Sequence, residues 1–227
     1  MVEKWLFDGV KEGVDNNNNN DINNESDRLG TLSAKYESGS NGVGTISTGK
    51  GDHGGMSYGL YQFASKNSSI ADYIDSPEFS KWKKLFSGLT PTTSNFNKAW
   101  EKLAKDEPNA FRKSQHEYIY RTHYLVLKEN NKNLINLDKY SDVLKDVCWS
   151  TAVHHGKDTG VLKRALKDKD ISKLSEKDII TAIYEERGKK DKNGELAYFH
   201  SSSKNMQDGI EKRFKSELND ALSRLNN

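Results

Sequence analysis

A chain of 227 residues, 33% hydrophobic and 30% charged, is long enough for one domain with a real core and too short for a second large one. Its 35 Lys and Arg against 33 Asp and Glu give a formal charge of +2, which argues against a dedicated nucleic-acid binder and is compatible with an anionic cell wall. No stretch approaches the ~20 apolar residues of a membrane helix, and the single Cys148 excludes both an intramolecular disulfide framework and a Cys-based zinc site.

In chain order, residues 1–13 read as a short helical element in which Trp5, Leu6 and Val10 share a face. Alone it is too short to be stable, so it docks on this domain, on a second copy, or on nothing. Asp8 and Lys11 interrupt its apolar run too soon for a signal peptide, whose apolar region spans roughly 7–15 residues. Residues 14–25, with an unbroken Asn run from Asn16 to Asn20, have no apolar periodicity and read as a flexible tether. A module spanning residues 26–227 is expected to follow. Ser26 suits an N-cap with Asp27 in the first turn, and Leu29, Leu32, Ser33 and Tyr36 recur at helical spacing, which puts Glu37 in the last turn. Gly39 and Gly42 stop that helix. Gly44, Gly49, Gly51, Gly54, Gly55 and Gly59 then follow too closely for another, as in short strands and tight turns. Asp52 lies inside this run, and Tyr58, Tyr61 and Gln62 are expected on one strand, with Tyr58 and Gln62 on the same face.

The remainder reads as helical. Ser76 caps a helix with Pro77 at its first position, Trp82, Leu85 and Phe86 on one face, and Gly88 as its stop. A helix from about Thr93 carries Phe96, Trp100 and Leu103. Pro108 opens what should be the longest helix, through Phe111, Tyr118, Ile119, Leu125 and Val126 to about Glu129. Tyr140 to His155 is the most apolar helix, with Val143, Leu144, Val147, Cys148, Thr151 and Ala152 as its buried face, and Gly156 ends it. Cys148 is expected to be core. A shorter helix covers about Thr159 to Lys167, and Ser175 with Asp178 forms the pattern of a capping box before Ile179, Ile180, Ile183 and Tyr184. A polar loop with an apolar island at Leu196 to Phe199 leads to a last helix, about Lys204 to Leu225. Its stripe is Met206, Ile210, Phe214, Leu218, Leu222 and Leu225. There is no internal repeat, and Gly49-Lys50-Gly51 lacks the spacing of a phosphate cradle. The fold class is mainly α with a small β-region.

A helix-terminal Glu facing a loop-borne Asp suits hydrolysis of a glycosidic bond. One carboxyl must stay protonated to give its proton to the leaving oxygen, and the other must be ionised to activate water. Desolvation near Tyr36 and Phe63 would raise Glu37, whereas backbone amides and hydroxyls around Asp52 would keep it charged. The alternatives are a solvated Glu and an ordinary turn Asp.

The stretch KYESGSNGVGTISTGKGDHGGMSYGLYQF, from Lys35 to Phe63, resembles the lysozyme-like superfamily. Within it the nearer relative is the peptidoglycan-degrading C-terminal domain of VgrG-type secretion spikes and of some phage endolysins; the inverting chitosanases are more distant, through Gly51, Asp52, Gly55, Ser57, Gly59 and Phe63. The resemblance implies a helical bundle around a central buried helix, with Glu37 as general acid, Asp52 as general base and Ser57 helping to hold the water. Gly59 to Gln62 is similar to the sugar-binding strand of goose-type lysozymes and lytic transglycosylases, with Tyr61 where Met usually stands. Gln62 should then face sugar, and Tyr61 is either a substrate contact or core. Similarity to an Ala-Val-Gln-His-Gly run makes His155 a candidate for the cleft floor, with His154 a departure. Tyr198 would stack on a sugar ring or cover the core.

The implied activity is a muramidase cutting between N-acetylmuramic acid and N-acetylglucosamine, with carboxyl groups ~6.5–9.5 Å apart if it inverts. The rivals are a lytic transglycosylase, a chitosanase, and a non-catalytic wall-binding or spike-tip module. No cofactor and no metal are expected, since His116 and His123 stand two helical turns, ~10 Å, apart. The expected partner is the peptidoglycan glycan strand, with no nucleic acid, no membrane insertion, and self-association or a domain contact through residues 1–13. The protein should be made in the cytoplasm and reach the wall through a separate lysis or delivery system.

Overall fold

The computed structural model describes residues 25–32, 42–48, 55–66 and 69–226. The N-terminal element, the tether through residue 24, and both Glu37 and Asp52 lie outside the described residues. In chain order come α1 (Glu25–Arg28), the strands β1 (Ile46–Ser47), β2 (Ser57–Tyr58) and β3 (Phe63–Ala64), then α2 (Ser69–Ile74), a 3-10 turn at Pro77–Trp82, α3 (Ser94–Asp106) and α4 (Pro108–Ile119). After a π turn at Tyr120–Tyr124 follow α5 (Leu125–Asn131), α6 (Asp142–His155), α7 (Val161–Ala165), α8 (Glu176–Arg187) and α9 (Lys204–Leu225). The fold is mainly helical with one small sheet among the described residues, as expected. No described helix is long and apolar enough to cross a membrane. Two compact units are present, one of residues 42–48, 55–66 and 69–120, the other of residues 25–32 and 121–226.

In the first unit the antiparallel strands lie in the order β1-β2-β3, with Ile46 opposite Tyr58 and Tyr58 opposite Phe63. Only Tyr58 of the expected alternating trio is on a strand. Gly59 takes φ 73° and turns the chain, so Tyr61 and Gln62 occupy the loop joining β2 to β3. A Cβ at Gly59 would stand 2.3 Å from Oε1 of Gln115, a fully buried α4 side chain that accepts from Leu60 N (2.9 Å) and donates to Val43 O (3.1 Å). One buried amide thus stitches the sheet's first approach and its hairpin loop to a helix. Beneath lies an aromatic core: Phe63 stacks on Tyr73 at 4.5 Å, and Tyr58 meets Phe96 and Trp100 edge-on. Ser114 donates to Glu78 O, so the Tyr73 hydroxyl is the donor in its 2.8 Å bond to Ser114. The helix expected after Ser76 is a 3-10 turn, whose three-residue period brings Phe79 and Trp82 inward; it ends at Trp82, and in the turn that follows Phe86 is buried while Leu85 is 50% exposed.

The helix expected from Pro108 to about Glu129 is interrupted. On α4 the buried positions Phe111, Ser114, Gln115, Tyr118 and Ile119 keep three- and four-residue steps, but the next is Tyr124, five on, followed by Leu127 and Asn131. The π turn inserts the extra residue and rotates the inward face, so Leu125 and Val126 are only half-buried. The longest α-helix among those described is α9, not this one.

In the second unit α6 is buried on nearly every side from Leu144 to Ala152. Ser141 caps it by accepting from Leu144 N and also donates to Glu176 at the start of α8. The Ser175–Asp178 capping box is present. Cys148 is core, and burial pushes its thiol up to about 12. Helix α9 has the expected bounds but a different inward line: Gln207, Ile210, Arg213, Phe214, Glu217 and Ala221 are buried, while Met206, Leu218, Leu222 and Leu225 are intermediate. Glu25, assigned to the tether by sequence, already belongs to α1.

Candidate functional site

The first unit brings Ser57 and Gln62 together. Ser57 Oγ donates its proton to Gln62 Oε1 at 2.9 Å, and Gln62 Nε2 donates to Gly59 O at 2.9 Å, so both ends of the amide are engaged, one by strand β2 and one by its own loop. Gln62 reaches this position through a left-handed backbone, φ 49°. With its one proton committed, the Ser57 hydroxyl can meet a further partner only as an acceptor. Tyr61, half-buried in the same loop, has its hydroxyl 2.9 Å from His116 Nδ1 on α4, the two rings tilted at 46°.

The second unit joins His155 and Tyr198, edge-on at 5.2 Å. His155 Nε2 accepts from Arg187 Nε at 3.3 Å, which leaves the imidazole neutral with its proton on Nδ1. Burial, then Arg187, Arg213 and Arg164, hold its pKa well below the usual histidine range. His154 is fully buried and held down likewise, first by burial and then by Arg213; neither of its ring nitrogens has a hydrogen-bond partner among the described residues. The Tyr198 hydroxyl donates to Glu186 and accepts from Arg164 Nε.

Behind His155 lies a charged cluster that sequence patterns did not single out. Glu217 Oε2 accepts from Arg187 Nη1 (3.2 Å), Tyr184 Oη (3.0 Å) and Ser150 Oγ (2.9 Å), and Oε1 accepts from Arg213 Nε (2.6 Å). Burial alone would raise this carboxyl; Arg213 and Arg187 outweigh it and keep it ionised. The available signal was spacing: Glu217 follows Phe214 by three and Ile210 by seven, the step of an inward α9 position. A carboxylate at such a position implies a buried cation opposite.

The Ser57, Gln62 and Tyr61 cluster belongs to one unit, His155 and Tyr198 to the other, and Glu37 and Asp52 to neither set of described residues. His116 bonds Tyr61, and His123 lies in the π turn beside Thr122 Oγ1. No group of three or more His, Cys, Asp or Glu suited to a metal occurs among the described residues.

Residues 29–218 match the family described as Type VI secretion system spike protein VgrG3-like, C-terminal. The chain belongs to this family. It is also 41% identical over 157 residues to the Type VI secretion system spike protein VgrG3 of Vibrio cholerae serotype O1 (strain ATCC 39315 / El Tor Inaba N16961), an alignment covering 68% of this chain. It spans only 15% of that relative's length. The span shared with the VgrG3-like C-terminal family runs through both units and includes the hairpin, His155 and Tyr198.

Proposed function

We propose that this VgrG3-like C-terminal chain is a peptidoglycan muramidase. Glu37 protonates the glycosidic oxygen as the bond from the muramic anomeric carbon breaks, and Asp52 takes a proton from the water whose oxygen forms the new bond. The observation that supports this best is the committed Ser57 hydroxyl, five residues beyond Asp52 in the sequence. A water held by two acceptors, Ser57 Oγ and the Asp52 carboxylate, has both protons turned away from the sugar and a lone pair left for attack. The family description adds a route. Carried on a secretion spike, the module would be made in the cytoplasm and delivered to the wall, rather than released as a phage lysin.

The test is digestion of purified peptidoglycan by wild type and Glu37→Gln. Loss of a general acid takes about 10²–10⁴ from the rate, so the variant should leave sacculi intact while its circular dichroism is unchanged. Hydrolysis gives products with a reducing end; anhydro-muropeptides, lighter by one water, would mean a lytic transglycosylase. Turnover of chitosan in preference to sacculi, or lysis by the Gln variant, would overturn the assignment.

A further inference from the structure

On the second unit one guanidinium is fixed from behind and open in front. Arg164, on α7, donates through Nε to the Tyr198 hydroxyl at 2.6 Å, and that nitrogen lies 3.2 Å from Glu186 Oε1. Its guanidinium carbon stands 5.1 Å from the Tyr198 ring centroid. The inward group is Nε, and neither Nη1 nor Nη2 hydrogen-bonds another described residue. The side chain is 48% exposed, so the two outer nitrogens keep an available edge of N–H donors. Gly160 makes room for this arrangement: a Cβ there would come within 2.6 Å of Nη1. Charge also remains over. Glu186 is shared between Arg164 and Lys189, at 3.2 and 3.5 Å, which leaves one positive charge uncompensated. Tyr198 itself is not free to carry a sugar, since Arg164 covers its ring and His155 abuts it edge-on at 5.2 Å.

We infer that Arg164, seated on Tyr198 above Gly160, is a carboxylate-binding site for the peptide stem of peptidoglycan. The planar fork matches a carboxylate bidentately, and the Tyr198 and Glu186 contacts set its orientation before ligand arrives. The inference rests on the muramidase reading for its substrate, but binding can be measured without turnover. Purified sacculi, native or with their carboxyl groups converted to amides, are sedimented with the full chain, every version carrying Glu37→Gln to stop digestion. Arg164→Gln should weaken binding to native sacculi about tenfold and leave binding to amidated sacculi unchanged. Arg164→Lys, which keeps charge without the fork, and Tyr198→Phe, which loses the hydroxyl that orients Nε, should fall between, with thermal midpoints near that of the parent. Equal binding of the parent and Arg164→Gln to native sacculi overturns the inference. So does an Arg164-dependent attraction confined to beads bearing a phosphodiester polymer, which would make the ligand a phosphate. Absence of lysis by wild type, with the binding difference intact, would instead remove the muramidase reading alone.

Discussion

Gln62 holds a left-handed backbone that costs a residue with a Cβ on the order of 1–2 kcal/mol. What it obtains is a side chain folded over its own loop, accepting from Ser57 and donating to Gly59 O. If Ser57 holds the water, Gln62 acts through it by keeping that hydroxyl an acceptor. Ser57→Ala and Gln62→Ala should each lower the lysis rate by about five- to tenfold, the worth of one hydrogen bond of about 1 kcal/mol. The double variant should be no slower than Ser57→Ala alone, because the second change removes only what the first already lost. Losses that multiply would separate the two residues. At this scale Ser57 and Gln62 were each picked out by a motif but not as a pair, which only the hydrogen bond between them reveals, and Glu37 and Asp52 rest on the sequence alone. The loop position of Gln62 was not legible, because alternation of residue types cannot register the left-handed turn at Gly59.

Among the elements, α6 is the one to which the start of the second unit is tied. Asp146 accepts from Thr31 Oγ1 at 2.8 Å, from Leu32 N at 3.0 Å, and from Gly30 N, while Arg224 of α9 reaches it at 3.3 Å. Burial raises this carboxyl, opposed by the bonds from Thr31, Leu32 and Gly30. Asp146→Ala leaves two buried backbone N–H groups without their acceptor and should destabilise the fold by roughly 3 kcal/mol; Asp146→Asn, which keeps one carbonyl, should cost less. Urea midpoints decide it, and an Ala variant matching wild type would mean that residues 30–32 are held by something else. Element boundaries were readable where the signal is local, as at the Ser175–Asp178 box and the ends of α9. They failed where the cause is distant. The π turn shifts the inward face only after Tyr120, and α9 turns Glu217 inward because Arg187, thirty residues earlier, waits for it.

At the scale of the whole molecule three histidines fix a dependence on pH. His123, His154 and His155 all lie in the second unit and are all held uncharged. Burial comes first in each case; Lys157 adds to it at His123, Arg213 at His154 and Arg187 at His155. His123 falls to about 4 and the other two fall well below the ordinary 6.5. Since these folded-state values are depressed, the unfolded chain binds more protons between ~6.5 and the folded pKa. The stability is therefore fully present above ~6.5 and is lost as pH falls through that window, with roughly 3 kcal/mol from His123 alone by about pH 4. The lowered carboxylates Glu107, Asp142, Asp170, Asp178, Glu211 and Glu217 act in the same direction, but their loss begins only where unfolded carboxylates protonate, near 4 and below, and the raised Asp146 acts in the opposite direction. Thermal midpoints should thus decline between pH 6.5 and 4.5, before the lowered carboxylates contribute much. His154→Leu, which replaces an imidazole packed against Phe199 and Phe214 with an apolar side chain, should flatten the decline. A wild-type midpoint that stays level across that interval would mean that these histidines accept protons in the folded state and that the packing around them opens to water.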